Sequence, residues 1–157
     1  MTDAIWKPHA TVAAIIEQDG RFLMVEEAIA GERVYNQPAG HLDPGESLID
    51  AVIRETREES AWGFQPDALT GIYLWHQPGS GRSFLRFAFC GEHRDFDAGQ
   101  ALDDGIVRTV WLTPAQLRDA GLRLRSPLVM SCIDDYLAGK RYPLDMLHAI
   151  GPHLQHG

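Results

Sequence analysis

The chain has 157 residues, 45% of them hydrophobic, which is the size and balance of one globular domain with a substantial core. Its 14 basic against 22 acidic residues give a net charge of −8, which argues against a nucleic-acid polymer as partner and suits a small phosphorylated substrate bridged by metal. No apolar run approaches the ~20 residues of a membrane span, and the start, MTDAIWKPH, lacks the basic cluster and apolar stretch of a signal peptide, so a soluble, cytoplasmic protein with no membrane partner is expected.

Taken in chain order, Ala10 to Ile16 is an apolar, β-branched run, Asp19-Gly20 is a hairpin turn, and Arg21 to Glu26 returns as a second strand. A short strand near Val34 to Gln37 leads into a Gly-Pro-punctuated loop. Ser47, with Asp50 three residues on, reads as a variant capping box that starts a helix running from about Ser47 to Ala61. Gly71 to His76 and Ser83 to Gly91 read as a hairpin around the turn-rich QPGSG. The acidic stretch Glu92 to Gly105 has no periodicity and is expected to be a loop; Ile106 to Leu112 resumes strand character. Thr113-Pro114 and Ser126-Pro127 start two further helices by cap and N1 proline, the second ending at Gly139. Strands interleaved with two or three helices predict an α/β or α+β sandwich around a mixed sheet. Cys90 and Cys132 have no paired spacing, so a disulfide framework or zinc site is not expected and both read as buried thiols.

The helix after Ser47 carries the chemistry. At roughly 100° per residue, Ile49, Val52, Ile53 and Thr56 form one apolar stripe, with Asp50, Arg54, Arg57 and Ala61 on the opposite, solvent side. Glu55, Glu58 and Glu59 fall on the arc between, beside the core. Carboxylates there are poorly solvated, and the like charges Glu55 and Glu59 at i, i+4 repel. A hard divalent cation relieves both penalties, and Mg2+ is typically held by a few carboxylates plus water and substrate phosphates. The plain alternative is a solvated Glu/Arg surface laced with pairs such as Arg54 with Glu58.

The full pattern is longer than a charge run. Gly40, Glu46, Arg54-Glu55 and Glu58-Glu59 match, at fixed spacing, six positions of the box that defines the Nudix hydrolases. The segments KPHATVA, VEE, NQPAGHL, FLRF, LRSPLV and RYPL extend the resemblance over most of residues 7 to 146, toward the NudJ-type phosphatases of that family. The resemblance implies a single Nudix domain over 1–157, with a core at about 7–146 and a tail at about 147–157, folded as an α/β/α sandwich. It implies Glu55, Glu58 and Glu59 as ligands of Mg2+ (or Mn2+), Arg54 orienting them, Glu46 supporting the cluster from the helix start, and one box glutamate, Glu59 first among them, taking the attacking water's proton or holding the metal-bound hydroxide, the base and ligand roles of the three not being separable by sequence. Gly40 supplies either a special backbone conformation or a close approach. Two positions depart from the box: Thr56 replaces an aliphatic residue, and Ala61 replaces glycine, so that the helix exit either avoids a left-handed turn or pays about 1 kcal/mol for it.

The implied reaction is Mg2+-dependent cleavage of phosphoanhydride bonds in small pyrophosphates, with release of phosphate from nucleoside di- and triphosphates and hydroxymethylpyrimidine pyrophosphate. The alternatives are a pyrophosphohydrolase that attacks an internal phosphorus, and a Nudix module that binds nucleotide without cleaving it. Outside the box, Arg86 interrupts the strand FLRFAF and suits a phosphate, against a structural ion pair or a strand edge. Arg125, before the Ser126-Pro127 helix start, and Lys7, with His9 at the entry to the first strand, are further candidate contacts. Trp75, Tyr73 and Phe84 offer faces for a base or serve as core; Gln37 and Asn36 bond substrate or hold the loop. Asp103-Asp104 lies where some Nudix enzymes carry a catalytic acid, although no glutamate is present. His148, His153 and His156 lack metal-ligand spacing and read as a mobile tail. The sequence leaves the oligomeric state open.

Overall fold

The computed structural model describes residues 4–119 and 123–152. Two sheets form the centre. In the first, the order is β5 (Ala39–His41), β1 (His9–Ile15), β7 (Ser83–Arg94), β6 (Gly63–His76); β1 and β7 are parallel and the other pairs antiparallel. In the second, β3 (Arg21–Ile29) pairs antiparallel with β2 (Glu17–Gln18), β4 (Glu32–Asn36) and β8 (Ile106–Leu112). The expected mixed-sheet sandwich is therefore present.

Period-two alternation assigns the faces. Val12, Ala14 and Ile16, with Leu23 and Phe89, pack with Ala51 and Val52 of α1 (Leu48–Ser60). Ile15, Phe22, Met24, Ala88 and Cys90 instead join Val129, Cys132 and Ile133 of α3 (Leu128–Leu137) and Leu117 of the short α2 (Pro114–Leu117). Thr11 to Ile15 are all buried, as a strand covered on both faces must be. Both cysteines are free and buried, in line with the sequence reading.

Local chemistry explains the elements that the sequence announces. Asp19 and Gly20 take φ of 52° and 78° at the β2–β3 turn, the left-handed pair of a two-residue hairpin. Thr113 and Gln116 form a complete capping box on α2. Ser47 Oγ accepts from Asp50 N–H at 3.0 Å at the start of α1. Three expectations need correction. β6 begins at Gly63, eight residues before the predicted Gly71, because Pro66 and the register shifts at Pro66/Ala68 and Leu69/Gly71 mask its alternation. β7 continues past Gly91 to Arg94, and the three-residue β5 was not foreseen.

The faces of α1 also differ from the expectation. Ile53 is exposed, whereas Ala61 is buried and Arg54 turns into the carboxylate group instead of solvent. The buried stripe is Ala51, Val52, Thr56, Glu59 and Ser60. Its polar members are accommodated because Thr56 Oγ1 and Ser60 Oγ donate to the carbonyls of Val52 and Thr56, one turn back. Ala61 ends the helix at φ 63°, so the chain does take the left-handed exit, at a cost of about 1 kcal/mol.

Candidate active site

The box loop and α1 bring Glu46, Glu55 and Glu58 together around one arginine, Arg54. Glu46 is almost wholly buried and receives Arg54 Nε at 2.7 Å and Nη2 at 3.0 Å, as well as the Asp43 N–H at 3.1 Å. Arg54 Nη1 donates to Glu55 at 2.8 Å and to Glu58 at 3.1 Å, and Nη2 to the His41 carbonyl at 3.0 Å. With Asp43 at 3.4 Å from Nε, the guanidinium sits among four carboxylates and one carbonyl, and the hydrogen bonds it donates to Glu46 and Glu55 hold it firmly protonated.

Oxygen atoms of Glu55, Glu58 and Asp103 all lie within 4.8 Å of one another. Glu59 faces inward from the same helix: its Oε1 accepts the Ala39 N–H at 2.7 Å, and burial pushes its carboxyl up to about 8, with Glu27, Glu55 and Asp103 adding to the rise. Burial likewise raises Glu55, with Arg54 opposing. Crowded oxygen donors whose charge the fold disfavours are the donor set a hard cation fits. Among the described residues, Glu55, Glu58 and Asp103 are the group able to hold a divalent metal, with Glu59 adjacent. Asp103 comes from the β7–β8 loop, the segment where the sequence left an acid open. Gly40 is explained by close approach: a Cβ there would collide with the Glu55 carboxylate, and no positive φ is required.

Ala39, whose N–H bonds Glu59, and Gly40, whose Cβ would meet Glu55, also line a cleft of about 300 Å³ that holds Arg86 and Arg125. Arg86 stands in β7, between β1 and β6, so it is not at a strand edge. It is 5% exposed; Nη1 donates to Gln37 Oε1 at 3.0 Å, Nη2 donates to Asn36 Oδ1 at 3.2 Å, and Nε has no hydrogen-bond partner. Nη1 also reaches Cys132 Sγ at 4.0 Å, and among the described residues no carboxylate lies within ion-pair distance, although burial raises the Glu27 carboxyl and Arg86, after Arg125, opposes that rise through space. A buried cation with no direct carboxylate partner suits an anion.

The other candidates are distributed as follows. Arg125 lines the cleft 3.6 Å from Glu27. Trp75 and Phe84 stack at 5.7 Å on the cleft wall, and His9 stacks on Phe84 at 5.2 Å while bonding His41 at 3.2 Å. Tyr73 turns to Asp135, 2.7 Å away, and packs with α3. Gln37 is fully buried behind Arg86, its amide spent on the Val129 carbonyl at 2.9 Å, so it supports Arg86 from below the cleft surface. Lys7 is exposed ahead of β1 and is not among the cleft residues. His153 and His156 lie outside the described residues. Glu27 and His41 line the cleft and were not singled out from sequence; a charged residue in the run FLMVEE was the available signal for Glu27, by the same logic that found Arg86.

Fold and site define a hydrolase of the Nudix class. Residues 7–130 match the NUDIX domain model, and the chain belongs to that family. It is 40% identical over 143 residues to the phosphatase NudJ of Escherichia coli, covering 91% of this chain and 92% of that protein, with the same figures for the phosphatase NudJ of Shigella flexneri. Among solved structures, a NUDIX hydrolase from Nitrosomonas europaea is 51% identical, superposes with a TM-score of 0.88, and covers 92% of this chain and 98% of its own. The chain is thus an enzyme acting on a pyrophosphate-containing small molecule, closely related to the NudJ-type phosphatases. Among the described residues no helix is long and apolar enough to cross a membrane.

Proposed function

We propose that the chain is a Mg2+-dependent phosphatase that releases inorganic phosphate from small pyrophosphates, with hydroxymethylpyrimidine pyrophosphate and nucleoside di- and triphosphates as its substrate class. The observation that carries the proposal is the pairing of an acidic cluster with a neighbouring cleft: Glu55, Glu58 and Asp103 crowd together behind Gly40, and Gly40 lines the cleft that holds the buried Arg86. Glu55, Glu58 and Asp103 would hold the cation, with Glu59 next to them. A divalent cation held there would supply charge neutralisation for the phosphate oxygens and activation of the attacking water.

The chain's own residues do the rest. Arg54 fixes Glu46, Glu55 and Glu58 in one geometry, so the carboxylates need no reorganisation when substrate arrives. Glu59 takes the proton of the attacking water at Oε2, its Oε1 being occupied by the Ala39 N–H. Water oxygen bonds to phosphorus as the bridging P–O bond breaks, and the leaving group keeps that bond's electron pair. Arg86 and Arg125 bind a phosphate of the substrate, and Trp75 with Phe84 offers an apolar wall to a flat ring. A panel of nucleotides and pyrimidine pyrophosphates, with phosphate and pyrophosphate measured separately, tests the proposal. Release of phosphate is expected; pyrophosphate as the released product would move the attack to an internal phosphorus.

A further inference from the structure

We propose that the segment between β7 and β8 is a cap for the C-terminal end of α1 that delivers Asp103 to the helix carboxylates, with Gln100 as its positioning residue. This rests on the reading of Glu55, Glu58 and Asp103 as the cation site. A helix end leaves its last carbonyls without intrahelical partners. Here residues of the β7–β8 segment bond three carbonyls at and just beyond that end. The Arg57 carbonyl accepts Gln100 Nε2 at 2.5 Å besides the Ala61 N–H at 2.9 Å; the Glu58 carbonyl accepts the Asp103 N–H at 3.1 Å; the Ala61 carbonyl accepts the Asp97 N–H at 3.0 Å. Arg57 closes the arrangement from the helix side, its Nη1 donating to the carbonyls of Ala61 at 3.0 Å and Asp95 at 2.8 Å.

The rings of Trp62 and Phe96 meet at 4.7 Å over the same turn. At its far end the segment is tied to the sheet, because the Gly105 carbonyl accepts the Ala28 N–H at 2.9 Å. The backbone bond from Asp103 to Glu58 therefore joins the two residues whose carboxylates share the cation group, and it sets their separation. Three like charges this close repel one another, and Asp103, on an exposed loop, is the member free to retreat. The cap opposes that retreat. Gln100 touches no carboxylate of the group and acts through the chain that carries Asp103. Docking of the segment and binding of the cation are then linked, and each strengthens the other.

The test uses Mn2+ alone, titrated into the full chain and into Gln100→Leu, Asp103→Asn and the double variant, together with exchange of the Asp103 amide measured with and without Mg2+. Gln100→Leu is expected to weaken Mn2+ by about five-fold, the worth of one hydrogen bond, and to speed exchange of the Asp103 amide. The double variant is expected to bind no more weakly than Asp103→Asn, since both act through one ligand. In the unaltered chain Mg2+ must slow that amide's exchange, a readout that needs no variant to fold. If Asp103→Asn loses affinity while Gln100→Leu binds Mn2+ as the parent does, the cap proposal is overturned and the cation site stands. Parent-like binding by Asp103→Asn overturns the cap and returns the site to the helix glutamates. An unaltered chain that binds no Mn2+ overturns the site and the cap together.

Discussion

Gly40→Ala isolates the geometry of the carboxylates from the stability of the fold. Gly40 needs no positive φ, so alanine meets no backbone penalty there. Its Cβ would instead overlap the Glu55 carboxylate, carbon and both oxygens alike. Restoring ordinary contact forces that carboxylate back by on the order of 1 Å, stretching its 2.8 Å bond to Arg54 and pulling it from the group it forms with Glu58 and Asp103. A misplacement of that size costs on the order of a hundred-fold in kcat, or about 2.7 kcal/mol of barrier. The fold should hardly notice: a weakened hydrogen bond costs about 1 kcal/mol, and relief of a buried charge offsets part of it, so Tm should move by about 3 °C or less. Steady-state kcat at saturating Mg2+, Tm by calorimetry, and a Gly40→Ala/Glu55→Ala double variant make the assay. The double variant should be no slower than Glu55→Ala alone. Gly40→Ala turning over within about two-fold of the parent would refute the reasoning, because Glu55 would then have no geometric task beneath β5.

Arg86→Met removes a buried cation that has no carboxylate partner, so Tm should stay within a few degrees while KM rises by about ten-fold; a large fall in Tm with unchanged KM would return Arg86 to a purely structural part. Glu59, at about 8 when folded against an ordinary 4.5, binds more protons in the folded chain than in the unfolded one between those values. Metal-free stability should therefore fall as pH rises from 4.5 to about 8. Glu55, raised by burial, works in the same direction. Thermal melts in EDTA across that range check the sign, with saturating Mg2+ expected to flatten the slope; a Tm that climbs with pH in EDTA contradicts it.

What the sequence made legible was whatever is encoded in spacing along one element. Glu55, Glu58 and Glu59 sit on α1, and a 3.6-residue repeat projects them as a group beside the core, whereas it turned Arg54 to solvent, and Glu46, ahead of the helix, was legible only through the spacing of the box. The same projection erred on Ile53 and Ala61, because the width of the buried stripe was set by neighbours: Thr56 and Ser60 could be buried by bonding back one turn, rotating the contact face away from Ile53. β5 and the first half of β6 were illegible for local reasons, a three-residue strand being too short to alternate and Pro66 with two bulges breaking the period. The contributions of Glu27 and His41 were illegible for a different reason, and Asp103 was flagged only through the family resemblance. They arrive from separate elements and meet the box only through space, as when Asp103 is carried to Glu58 by the backbone of a loop. Arg86 shows the intermediate case: its residue type in a strand called for a partner, and only the fold showed that the partners are the neutral oxygens of Asn36 and Gln37.

The most direct measurement is turnover of a small pyrophosphate substrate with Mg2+ and then with excess EDTA, by the parent chain and by Glu58→Gln at equal fold stability. The account predicts hydrolysis that vanishes in EDTA, returns with added Mg2+, and is lowered by orders of magnitude in Glu58→Gln. Turnover that survives EDTA, or Glu58→Gln at the parent's rate, would contradict a cation held by the carboxylates of α1.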